Sequence, residues 1–164
     1  DGSTNFRKKF LEELTKIFTT CIIYFFSIYI TQKNEILKIG RKRASIQEFL
    51  KKTIVSKILI LRKLIEIGKP NEKVPQNTQD KKYIYYQIKK NYCSEFDSIL
   101  ELLNEALEFI KKDIEVVSYF EKEMNLFIDT KNSILDFQKN YSPESFDQFK
   151  FNIKKLHNYY VVKN

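Results

Sequence analysis

A chain of 164 residues with 43% apolar and 30% charged side chains, 14 Phe and 10 Tyr, holds too many core formers to be a disordered segment. Only three Gly and three Pro punctuate it, which argues against architectures built from many tight turns and points to long helices. The formal net charge is +8, and all of it lies in the first half: residues 1–80 carry 16 Lys and Arg against 8 Asp and Glu, and residues 81–164 carry 13 of each.

The first predicted element runs from about Asn5 to Gln32, where Phe6, Phe10, Leu14, Ile17, Phe18, Cys21, Phe25, Ile28 and Tyr29 recur at helical spacing. Within it, residues 17–30 read IFTTCIIYFFSIYI, and Ile22, Ile23 and Tyr24 would suit a strand as well. Fourteen residues fall short of the roughly 20 that cross a bilayer, and Glu12, Glu13, Lys16 and Lys33 close both ends, so no transmembrane segment is expected. A lipid-seeking surface helix should show a lysine-rich polar face, and here that face is Ser and Thr. The expectation is therefore burial in a helical core, followed by a partner surface, with peripheral membrane contact last.

A basic stretch, KNEILKIGRKRA at 33–44, follows, with Asn34 and Gly40 as expected breaks. Ser45 with Glu48 has the form of a capping box, and the RKRAS run is also the shape of a basophilic kinase target. The second helix is expected from there to Ile67, stopped by Gly68 and Pro70, with Phe49, Leu50, Ile54, Ile58, Leu61 and Ile65 inward. Residues 68–80 read as the longest loop and as a mobile one.

Asp80 is placed to cap a helix bearing Ile84, Tyr85 and Ile88, and Ser94 with Asp97 marks a further start or a bend. The strongest periodicity then runs through Phe96, Ile99, Leu103, Ala106, Ile110, Val117, Phe120, Met124 and Phe127, interrupted at Asp113. A second stripe of Leu100, Leu107, Ile114 and Ile128 beside it suits a bundle helix touching two neighbours. A break is expected near Asp129 to Asn132. Ser142-Pro143 then supplies an N-cap with proline at N1, Tyr141 and Phe146 form a staple, and Phe146, Phe149, Ile153 and Leu156 face inward.

These elements predict an all-α, antiparallel bundle of four to five main helices in a single domain, 1–164. Chemistry is sparse. His157 is the only histidine, which leaves no HExxH or multi-imidazole metal site, and the glycines required by phosphate-binding loops are missing. Glu101, Glu105 and Glu108 lack the ExxH companions of a di-iron site and read as a solvated face. Cys21 and Cys93 read as reduced and structural, with a single bridge between them as the alternative, which leaves the redox compartment open. No catalytic, cofactor-binding or metal-binding residue is assigned.

The expected function is a non-catalytic protein-interaction module for an acidic or hydrophobic protein partner. Its candidate contacts are Lys38, Arg41, Lys42, Arg43, Lys51 and Lys52, with Tyr85 and Tyr86 as aromatic anchors. The alternative is a nucleic-acid-binding domain that uses the same basic half. Heavy use of Lys, Asn, Ile, Phe and Tyr also suits an AT-biased coding sequence, as in some parasites, which raises charge and aromatic counts without functional demand.

Overall fold

The computed structural model describes residues 2–67 and 78–162, with side chains described over 4–67 and 82–161. Among them are six α-helices and no strand: α1 (Gly2–Ser56), α2 (Ile58–Glu66), α3 (Thr78–Asn91), α4 (Cys93–Lys111), α5 (Glu121–Asn140) and α6 (Pro143–His157). A short 3-10 turn, Val117–Phe120, precedes α5, and a π-helical turn, Asn158–Val162, follows α6. The all-helical class is as expected, with more helices than anticipated.

The chain divides into two compact units, Asp1–Lys42 and Arg43–Asn164. The described residues of the first are helix alone, the greater part of α1. Neither Asn34 nor Gly40 breaks it, and nothing lies within 4 Å of the space a Cβ on Gly40 would fill. A single exposed glycine costs a helix only about 1 kcal/mol, which its neighbours can absorb. Ser45 consequently lies inside α1 and caps nothing.

The real break falls at Lys57 (φ −102°, ψ 14°), which no glycine or proline announces. Thr53, Ile54 and Val55 are β-branched, and the Ser56 hydroxyl donates to the Thr53 carbonyl at 2.7 Å, so four successive residues weaken the helix there. Gly68, Pro70 and most of the expected loop lie outside the described residues. Asp80 is the third residue of α3 and so is not its N-cap.

The start of α4 comes one residue before Ser94, with Tyr92 at the N-cap position and no side-chain cap. Ser94 instead bonds its neighbour Glu95 at 2.8 Å. The long seam does break where Asp113 interrupts it. Register shifts in the connection: Val116 is buried, while Ile114, expected on the second stripe, is 88% exposed. No break occurs at Asp129 to Asn132. The polar residues there are accommodated within α5, where buried Thr130 returns its hydroxyl to the Leu126 carbonyl at 2.7 Å and Ser133 to Thr130 at 2.8 Å.

At the α5–α6 corner Tyr141 adopts a left-handed conformation (φ 48°), and Ser142 accepts from the Ser145 backbone at 3.1 Å with Pro143 opening α6. The Ser145 hydroxyl completes the capping box from the other side, accepting from the Ser142 backbone at 3.2 Å. Tyr141 packs edge-on against Tyr86 at 6.0 Å, so the Tyr141 ring serves α3.

The second unit is built of antiparallel neighbours. As α5 runs back from Phe137 through Asp129 to Glu123, α6 and the turn after it run forward from Phe146 through Asn152 to Tyr159. Phe137 and Phe146 lie 5.2 Å apart, Asn152 donates to the Asp129 carbonyl at 3.3 Å, and Tyr159 donates to Glu123 at 2.7 Å. Phe49 stacks on Phe109 at 3.9 Å and Lys63 pairs with Glu95 at 3.4 Å, so the end of α1 and α2 run antiparallel to α4. At the centre Phe137 meets Phe96, Phe149, Phe146 and Tyr85. Leu50, Ile54, Leu61, Leu64, Phe120, Phe127, Ile153 and Leu156 complete a buried core.

Truncating Phe137 to Ala should cost about 3–5 kcal/mol, because a fully buried ring leaves a cavity among four others. Urea unfolding of the full chain checks this, and an effect below about 1 kcal/mol would mean that the aromatic cluster is not the centre of the core.

Candidate functional site

The first unit does not bury the stretch expected in a core. Ile17, Phe18, Ile22, Ile23, Tyr24, Phe25, Phe26, Tyr29 and Ile30 are all exposed, Phe25 by 69%. A helix can bury only what neighbouring elements cover, and sequence periodicity does not say whether such neighbours exist. Eleven of the 14 residues in 17–30 are apolar. At 3.6 residues per turn they cover roughly three quarters of the circumference, leaving a narrow strip with Thr20, Ser27 and Thr31.

The helix removes most of the hydrogen-bonding demand of that strip itself. Thr15 donates to Leu11, Thr19 to Thr15, Thr20 to Lys16 and Thr31 to Ser27, each to the carbonyl one turn back at 2.8–2.9 Å. Lys16 pairs with Glu13 at 2.8 Å. An 18-residue window of this helix is long and apolar enough to cross a membrane, carries at most two charged residues and is not buried at all. Cys21 lies in it as a free, exposed thiol, where a small buried one was expected.

The predicted contact residues separate. Lys38 and Arg41 are exposed on the first unit, and Lys42 is half-buried. In the second unit, Arg43 lies over the Tyr119 ring at 5.1 Å, a cation–π contact that sequence separation concealed. Lys51 borders a cleft of about 570 Å³ with Glu48, Phe120 and Tyr160, whereas Lys52 borders another of about 480 Å³ with Phe49, Glu101 and Glu105. Tyr85 is half-buried against Phe137 and Phe146, so its ring is a core contact. Burial, then Asp147 and Glu144, raise its phenol pKa. Tyr86 remains 48% exposed, one edge held by Tyr141.

Residues missed in the sequence form a second polar centre where α5 meets the turn after α6. Tyr159 donates to Glu123, and Lys122 lies 5.6 Å above the Tyr159 ring. Tyr159 borders both the 570 Å³ cleft and a neighbouring one of about 510 Å³. Burial, with Glu123 second, pushes its phenol up to about 12, and burial raises Tyr160 in the same direction. No pattern in the chain joins positions 36 residues apart.

The Cys93 thiol is not activated as a nucleophile. Asp97, charged and bonded to Cys93 at 3.6 Å, raises that thiol and disfavours its reactive thiolate. His157 is half-buried, with Nδ1 3.5 Å from Asn158, while its Nε2 is buried and has no hydrogen-bond partner. Among the described residues, no group of three or more His, Cys, Asp and Glu is placed to hold a metal ion. No family model, curated protein or solved structure matches this chain.

Because folding holds the Tyr159 proton more tightly than the unfolded chain does, stability should be intact below pH 10 and decline as pH rises towards about 12. Urea midpoints measured across that window should fall less steeply for Tyr159→Phe than for the parent. Equal slopes would remove Tyr159 from the account.

Proposed function

We propose that this chain is a non-catalytic helical interaction module that associates through the apolar helix of its first unit, with the second unit as its folded, water-facing part. One observation carries this reading: the most apolar stretch of the chain is also exposed, ring after ring, from Ile17 to Ile30. Full burial of a side chain such as Phe, Leu or Ile is worth about 1.5–3 kcal/mol, so leaving this many in water forgoes an amount comparable to a domain's usual net stability. A contiguous apolar surface of this kind marks a place where something else binds.

The second unit supports the reading by contrast, since its apolar residues are concentrated in a packed interior. The nucleic-acid alternative draws less support. Arg41, Lys42 and Arg43 are consecutive in a helix, hence about 100° apart around its axis, and Arg43 is engaged by Tyr119.

In detergent-free buffer the full chain should sediment as an associated species. The double variant Ile22→Lys with Phe26→Lys should sediment as a monomer and keep its helical circular dichroism, since both positions are exposed. A parent chain that stays monomeric, without lipid, detergent or partner, over the concentrations accessible to sedimentation would overturn the proposal.

A further inference from the structure

Resting on that reading, we infer that the occupant of the apolar surface is a lipid bilayer with anionic headgroups, crossed by the helix over Leu14–Thr31. Length is the first ground. Those 18 residues contain one charged side chain, Lys16, and form the kind of apolar window that can cross a membrane. They rise about 27 Å, close to the roughly 30 Å of a hydrocarbon core. The shorter stretch 17–30 is insufficient only if Lys16 ends it. Near the end of a span, a lysine stem can lie along the apolar surface while its ammonium reaches the headgroups.

The second ground is coverage. A second copy or a partner helix needs an apolar seam along one side, whereas about three quarters of this circumference is apolar. Lipid surrounds a helix and satisfies all of those directions at once. The third is the treatment of polar atoms. In hydrocarbon there is no water to receive a hydroxyl, and four threonines, at 15, 19, 20 and 31, each donate to a carbonyl of their own helix.

Charge complementarity supplies the fourth. Arg7, Lys8 and Lys9 precede the apolar run with Glu12 and Glu13 between them and it, and Lys33, Lys38 and Arg41 follow it, all exposed, so the excess of cations lies on the side after the run. Only Glu35 opposes them between Lys33 and Arg41.

The test incorporates the full chain into vesicles of phosphatidylcholine and phosphatidylserine, at roughly three to one, and floats them on a density gradient before and after high-salt and alkaline washes. The chain should float and remain with the vesicles through both washes. Ile22→Lys with Phe26→Lys should lower the floating fraction more than a hundredfold, since a lysine near mid-bilayer is strongly disfavoured. Lys33→Gln with Lys38→Gln and Arg41→Gln should weaken capture by anionic vesicles about tenfold or more, and leave capture by pure phosphatidylcholine unchanged.

Flotation that an alkaline wash strips would overturn spanning, as it would show a surface-bound helix. A parent chain that stays at the bottom while Cys21 crosslinks two copies in buffer would overturn the lipid assignment and leave the association reading standing. A chain that stays at the bottom as a monomer would overturn both.

Discussion

Phe137 is the contact on which the second unit depends. It reaches this unit's packing partners in three directions: Phe96 of α4, Phe146 and Phe149 of α6, and Tyr85 of α3. Aromatic rings supply large buried area with few rotatable bonds, and edge-to-face and offset pairs add to simple area burial. The tight corner at Tyr141 and Ser142 serves the same contact. By reversing the chain between α5 and α6 within two residues, it sets Phe146 and Phe149 beside Phe137.

The first unit meets the same physical demand with its apolar side chains exposed. Its apolar side chains are as large as those of the core, yet no element of the described structure covers them, so their removal from water depends on a second body. Chain geometry favours a surrounding one. The apolar surface is too broad for a single coiled-coil seam, and its threonines bond back to their own helix. Lys33, Lys38 and Arg41, beyond one end, provide what an anionic headgroup layer would attract.

Elsewhere, electrostatics secures packing. Tyr159 is held protonated where α5 meets the turn after α6, Asp97 keeps the Cys93 thiol from ionising easily, and Tyr141 accepts from Lys89 at 2.5 Å and raises that ammonium pKa. Each shift favours the form of the group present at neutral pH. None of these three shifts brings its group towards neutral pH.

Much of this fold follows from the chain order of residues alone. The scarcity of glycine and proline specifies helices, the inward face of α6 follows from Phe146, Phe149, Ile153 and Leu156, and Ser142-Pro143 fixes where that helix begins. These features are local, set by propensity, capping and spacing within a few residues. Tertiary structure decided the others. Continuity of α1 through Gly40 and Ser45, the break at Lys57 and the outward turn of Ile114 are outcomes of competition among signals that are each weak. Pairing of Arg43 with Tyr119 and Glu123 with Tyr159 joins distant positions that no periodicity connects. Above all, IFTTCIIYFFSIYI carries the same letters whether buried or exposed: sequence fixes how strongly those side chains avoid water, and only the arrangement of neighbouring elements determines what is left to cover them.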